Sequence, residues 1–374
     1  MPRFLHTADW QIGRQYTRLA PEHAVPLAEA RFEAVQRIAR LARDEQVDAV
    51  LVAGDIFDAQ NVRDVTVRKL FNALQDYPGP WLMIPGNHDA ALAESVWTTA
   101  RRIGAIPDNV HLLLTPEVTE FEHLGFAVLP APLTQRHTAS DLTAWFDLAD
   151  TSPGLVRVGI AHGSVQGILA EDIDSPNPIA ADRAALARLD YLALGDWHGT
   201  RQIDPRTWYS GTPEQERFRD NNPGNVLLVD IPAPRELPQV EARAIGRHRW
   251  IQLNKRLAVA SDLDQLIDEL NDLPESAVVD LRLAGEVHLL GQQTLEQALS
   301  VAEARFRSLQ ADLSALRLQP TEEDINALQA DGYVGDVLAE LRQQQGEEEN
   351  GLAREAMSIL ATLLLEAQAQ RGEV

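Results

Sequence analysis

Through the first two hundred positions, apolar residues come in short unbroken blocks, each stopped by glycine, aspartate or histidine. RFLHTAD, DAVLVAGD and WLMIPGNHD are the first three. Runs this short, with such flanks, predict buried strands. Between them the spacing is helical. PLAEARFEAVQRIARLARDE sets Leu27, Ala34, Ile38 and Leu41 on one face, and VRDVTVRKLFNALQ is a second amphipathic helix. The order strand, helix, strand, helix, strand implies right-handed crossovers and a parallel core. VHLLL, FAVLPAP, LVRVGIAHG and YLALGD extend the strand series, the last two separated by a polar loop and a short helix, AADRAALARL.

Beyond about Gly211 the pattern changes. NVLLVDIP and RHRWIQLNK read as strands, followed by helix DLDQLIDELNDL, strand AVVDLRLAG, helix LGQQTLEQALSVAEARFRSL and strand LSALRLQ. This predicts a large domain over residues 1–245, a small α+β unit over 246–319 and a helical segment over 320–374. In the last segment Leu352, Ala356, Ile359, Leu363 and Ala367 recur at helical spacing, widened by Leu360 and Leu364.

Composition narrows the classes. The chain has 374 residues, 45% hydrophobic and 24% charged, which suits a soluble globular protein of more than one domain. No run is long enough to span a bilayer, and the N-terminus lacks the sections of a signal peptide. Cysteine is absent, which excludes disulfides and thiolate metal sites and suits a reducing cytoplasm. The net charge of -23 argues against coating nucleic acid electrostatically. Phosphate binding would have to be local, through Arg217 and Arg219, or Arg243, Arg247 and Arg249, or through bound cations.

Five strings carry candidate chemistry: ADWQ, GDIFD, GNHD, AHG and GDWH. Each alone is a turn, and GNHD alone reads as a turn with Asp89 capping the next helix. Together they put Asp9, Asp55, Asn87, His162, Asp196 and His198 at the carboxyl ends of strands, where open α/β sheets gather ligands. That set suits a pair of divalent cations about 3.5–4 Å apart, gripping both ends of a phosphoester displacement. Asp55, on a central strand, is the natural bridge. His88 directly follows Asn87 and is left free for proton transfer or phosphate contact.

These strings, with HTADW, PGNHD and LGDWHG before YSGTPEQERF, resemble the calcineurin-like metallophosphoesterases, and within them the bacterial SbcD DNA-repair nucleases. The resemblance implies an α/β core of packed mixed sheets flanked by helices, with a small α+β cap and a helical tail. It implies a first metal on Asp9, the position of Gln11, Asp55 and His198, and a second on Asp55, Asn87, His162 and the position of Asp196. His88 would act on the phosphate and leaving group, and Asp58 would orient it. Expected partners are DNA, an SbcC-type coiled-coil ATPase gripped by the C-terminal helices, and a second copy of the chain, with no membrane.

Two positions depart from that family, which has histidine where this chain has Gln11 and Asp196. Both changes put oxygen in place of nitrogen, which favours manganese or magnesium over zinc. Two rival readings stay open: a phosphodiesterase of small nucleotides, and a catalytically weakened scaffold or regulatory subunit. His6 is read as a core histidine, and His111, His123 and His288 carry no assigned chemistry. Trp10 and Trp197 are read as packing residues beside ligands. Arg217 and Arg219 are divided between solvated charge and DNA-backbone contact.

Overall fold

The computed structural model describes residues 1–167, 176–219, 221–318 and 333–347, with residues 356, 357, 359, 360 and 363. The chain divides into two units, Met1–His248 and Arg249–Val374, so the division falls a few residues after the expected one.

The first unit runs β1 (Arg3–Thr7), α1 (Pro21–Asp44), β2 (Ala49–Ala53), α2 (Asp64–Ala73), β3 (Trp81–Ile84), α3 (Val96–Arg102), β4 (Val110–Leu112), β5 (Thr119–Phe121), β6 (Phe126–Ala131) and β7 (Val156–His162). It continues with β8 (Ser164–Val165), β9 (Pro178–Ile179), α4 (Arg183–Leu186), β10 (Tyr191–Gly195), β11 (Arg201–Asp204), β12 (Thr207–Tyr209), β13 (Asn225–Asp230) and β14 (Gln239–Ala244). α1 starts earlier than the periodicity suggests, because Pro21 occupies the first turn, where its missing N–H costs nothing.

Two six-stranded mixed sheets result, ordered β14-β13-β1-β2-β3-β4 and β11-β12-β10-β7-β6-β5. β1 to β4 pair in parallel, as do β6, β7, β10 and β12, while β13 runs antiparallel to β1. The sheets face each other through one apolar layer, with Phe4, Leu51 and Leu82 from the first and Phe126, Val158 and Tyr191 from the second. The outer face of the first sheet is closed by apolar residues of α1, α2 and α3, including Val35, Ile38, Leu70 and Trp97. Strands buried on both faces explain the unbroken apolar blocks.

His6 lies fully buried between the sheets. Its Nε2 donates to the Leu194 carbonyl at 3.1 Å, and its Nδ1 takes the Tyr191 hydroxyl at 2.9 Å. Burial pushes its pKa down to about 3, so it is a neutral pin between sheets, the core histidine expected.

The second unit has β15 (Trp250–Leu257), α5 (Ala260–Asp272), β16 (Val278–Val287), α6 (Leu289–Arg305), β17 (Ser308–Leu318) and α7 (Tyr333–Glu347). Its three strands pair in parallel in chain order, with Leu266, Leu270, Leu281 and Leu295 in the core. Around α7, Leu338 and Met357 are buried together, with Val334, Leu341 and Leu360 against them. Ile359 and Leu363 are more than half exposed. Leu352, Leu364 and Ala367 of the expected stripe lie outside the described residues.

Candidate metal centre

The parallel strands of both sheets deliver chemistry at their carboxyl ends. Asp9 and Gln11 follow β1, Asp55 follows β2, Asn87 and His88 follow β3, His162 closes β7, and Asp196 and His198 follow β10. The local backbone is strained there. Asp9, Gln11, Asp55 and Asp196 hold positive φ of 54°, 46°, 53° and 99°. Each such non-glycine residue costs on the order of 1–3 kcal/mol, and such outliers gather at functional sites. Gly86 is forced by proximity, since a Cβ there would run into the Asp55 carboxylate.

Acceptor atoms converge at these strand ends. Asp9, Asp55 and His162 are all buried, and one ligand atom from each lies within 4.8 Å of the others. His162 gives its Nδ1 proton to the Ala53 carbonyl at 2.8 Å, which turns Nε2 inward. Nε2 then sits 3.5 Å from Asp55 Oδ1, 3.7 Å from Asp196 Oδ1 and 3.0 Å from Asn87 Oδ1. Turned over, the Asn87 amide nitrogen would donate to both Asp55 oxygens at 3.1 and 3.0 Å and to His162 Nε2 at 3.0 Å. Either way the amide lies among carboxylates and an imidazole, and its carbonyl oxygen can be offered to a divalent cation bound there.

Charge balance agrees. Burial alone would lower the His162 pKa, yet the Asp55, Asp9 and Asp196 carboxylates raise it to about 9. Burial lifts Asp9 to about 6 against the pull of His198 and His162, and it also lifts Asp196. Asp55, Asn87, His162 and Asp196 thus form one group of donors, with Asp9 and His198 beside it.

His198 is oriented by a residue that sequence reasoning missed. Its Nδ1 is 2.6 Å from Glu216 Oε1, a carboxylate–histidine arrangement that leaves Nε2 for a metal. Glu216 is buried and also meets Arg31 at 3.0 Å and Arg14 at 3.1 Å. Burial would raise its pKa, but His198, Arg31 and Arg14 hold it far below the usual carboxylate range. Glu216 lies in the string PEQERF, which marks the motif but does not show what the acid touches.

His88 stands at the rim, with its side chain 29% exposed and Nε2 3.9 Å from Asp55 Oδ2. Its main-chain N–H donates to Asp55 Oδ1 at 2.9 Å. Its Nδ1 donates to the Asp58 main-chain carbonyl at 2.8 Å, whereas the Asp58 carboxylate is 4.0 Å away and paired with Arg14. Asp58 thus meets His88 through its backbone. Gln11 is within the cluster, but its Oε1 accepts from Arg14 Nη1 at 2.7 Å and its Nε2 faces His198 Nε2 at 3.4 Å.

Asp89 caps no helix, since Ser95 caps α3. It accepts from Ile56 N, Phe57 N and Gly86 N, tying the Asp55 turn to the Asn87 turn, and burial lifts its pKa to about 7. Trp10 is buried, as expected of a packing residue. Trp197 is only half-buried and carries two guanidinium groups over its ring, Arg219 at 4.7 Å and Arg201 at 5.6 Å.

The family described as calcineurin-like phosphoesterase matches residues 2–229. Among curated relatives, the D component of the SbcCD nuclease of Bacillus subtilis is 32% identical over 336 residues, 79% of this chain and 81% of that one. The "DNA double-strand break repair protein Mre11" of Methanosarcina acetivorans is 25% identical over 298 residues, 74% of this chain and 45% of its own length. The "Uncharacterized metallophosphoesterase YhaO" of Bacillus subtilis is 25% identical over 242 residues, 61% of this chain and 57% of that one. The chain therefore matches only about half the length of the last two.

Proposed function

The chain belongs to the calcineurin-like phosphoesterase family, and from that we propose that it is a metal-dependent DNA phosphodiesterase of the SbcD type. The observation that carries the reading is the buried convergence of Asp9, Asp55 and His162, with the Asn87 amide beside them.

Asp9, Asp55 and His198 would hold one divalent cation, and Asp55, Asn87, His162 and Asp196 the other. Bound there, such ions make a water nucleophilic near neutral pH and take up charge on the phosphate. Manganese, or else magnesium, suits this oxygen-rich set. The protein's own part is positional. Ala53 fixes His162, Glu216 fixes His198, and Asp89 locks the two turns that present Asp55 and Asn87. The His88 Nδ1–H is committed to the Asp58 carbonyl, so its Nε2 is the atom available to a phosphate oxygen or a departing alkoxide.

Support for DNA as substrate comes from the names of two relatives and from the arginines gathered at Trp197 on an otherwise acidic chain. A half-exposed aromatic flanked by guanidinium groups suits stacking and phosphate contact. The exposed Ile359 and Leu363 support docking of a coiled-coil ATPase of the SbcC kind. Assembly as a homodimer and a cytoplasmic location complete the reading.

The test is release of nucleotides from linear duplex and single-stranded DNA with manganese, against a chelator control. Metal-dependent cleavage of DNA is expected. Hydrolysis of cyclic or small nucleotide diesters with DNA left intact would favour the small-nucleotide reading. Inactivity on every diester with metal bound would favour the scaffold reading.

A further inference from the structure

Arg14, in the loop after β1, is held through Nη1 and Nε by three acceptors. Its Nη1 donates to Gln11 Oε1 at 2.7 Å and to Asp58 Oδ1 at 3.1 Å, and its Nε meets Glu216 Oε2 at 3.1 Å. Among the described residues, Nη2 has no hydrogen-bond partner, and the side chain is 28% exposed.

These contacts surround His198. Glu216 takes Nδ1 of that imidazole at 2.6 Å, Arg14 joins Glu216 to Gln11, and Gln11 Nε2 lies 3.4 Å from His198 Nε2, the atom a metal would take instead. The loop beneath is strapped to the Asp55 turn. Gln11 N donates to Asp55 O and Ile12 N to Ile56 O, both at 2.9 Å, while Asp58 N donates to Ile12 O at 3.0 Å. A guanidinium is thus fixed beside the His198 imidazole with its Nη2 group open.

Glu216 is already compensated by fully buried Arg31 and by His198, so Arg14 is surplus to its neutralisation. With Nη1 and Nε committed, the guanidinium plane is fixed and Nη2 keeps charged N–H donors that can reach a phosphate oxygen. The Gln11 oxygen is directed at Arg14, and the amide nitrogen is turned toward His198.

We propose that Arg14 clamps a non-bridging oxygen of the substrate phosphodiester, and that Gln11 is the positioning residue holding it rather than a metal donor. This rests on the phosphodiesterase reading, but its binding test does not require DNA cleavage.

Manganese titration by calorimetry would compare the parent chain with Gln11→Ala. Equal stoichiometry and affinities within about two-fold are expected, and loss of an ion in Gln11→Ala would overturn the assignment. Inorganic phosphate is then titrated into the manganese-loaded protein. Arg14→Ala should weaken its binding at least ten-fold with metal content unchanged, and Gln11→Ala should weaken it less. On a cleavable diester, the loss should appear in KM more than in kcat. If Arg14→Ala fails to fold, Arg14→Lys is read instead. It keeps the charge beside Glu216 without the fork, and an intermediate loss of phosphate affinity is expected. Unchanged phosphate affinity in the folded variant would overturn the clamp. Phosphate binding that depends on Arg14 in a protein unable to cleave DNA would leave the clamp standing and sink the nuclease reading.

Discussion

Glu216→Gln is the perturbation that reaches furthest through this centre. The carboxylate is 1% exposed, and the guanidinium of Arg31 that it holds at 3.0 Å is equally buried. Arg31 keeps the Tyr16 hydroxyl and the Trp10 carbonyl, at 2.9 and 2.7 Å, but these are neutral acceptors. Breaking a buried pair from one side leaves an uncompensated charge, which costs about 3–5 kcal/mol. Within a unit of roughly 250 residues each kcal/mol moves the midpoint by about 2–4 °C, so a fall of roughly 10 °C is expected. Scanning calorimetry with a chelator present isolates this from metal binding. The double variant Arg31→Met/Glu216→Leu should lose less than Glu216→Gln, because the fully buried Arg31 charge is removed with its partner, leaving only the more exposed Arg14 and His198 without Glu216.

The pH dependence has two sides. The folded pKa of Glu216 is depressed, so its contribution is complete above the unfolded value of about 4.3 and fades only as pH falls toward the folded value. The gap between parent and Glu216→Gln should narrow in acid below the ordinary carboxylate value. It should also shrink as pH rises past the ordinary histidine value, where His198, whose pKa Glu216 helps to raise against burial, loses its charge. A melting shift below about 2 °C at neutral pH, or a gap that widens below about pH 4, would refute the buried-pair reasoning.

Other substitutions test other parts. His88→Ala should keep its metals by elemental analysis and lose about 10²–10⁴-fold in cleavage rate, whereas loss of metal would make His88 a ligand. Arg219→Ala should weaken DNA binding across sequences and reduce the log–log salt slope by about one unit, and an unchanged slope would remove it from the DNA path. Leu363→Arg should leave melting unchanged and abolish co-purification with a coiled-coil ATPase, and retained co-purification would place that contact elsewhere.

The positions of the candidate donors were legible because each follows an apolar strand, and strands buried on both faces announce themselves without alternation. Asp9, Asp55, Asn87, His162, Asp196 and His198 all lie where that pattern put them. The direction of a side chain was not legible. Gln11 has the residue type and position of a donor, yet its oxygen goes to Arg14 three residues on. Asp58 meets His88 with its backbone, which no residue type encodes. Glu216 and Asp89 were missed for a related reason. The role of a buried carboxylate depends on partners far along the chain, Arg31 for one and Ile56 for the other. In the fold, β5, β11, β12 and β14 escaped notice. They are short and near sheet edges, and β14 (QVEARA) is exposed along most of its length, so burial leaves little mark on the sequence.

The central claim is a dimetal centre bridged by Asp55, and metal content measured beside DNA cleavage tests it most directly. The parent chain should bind two manganese ions and cleave DNA only when they are present. Asp55→Asn should lose most of both ions and the cleavage with them. Cleavage that persists in chelator, or an Asp55→Asn protein that keeps two ions and full activity, would contradict it.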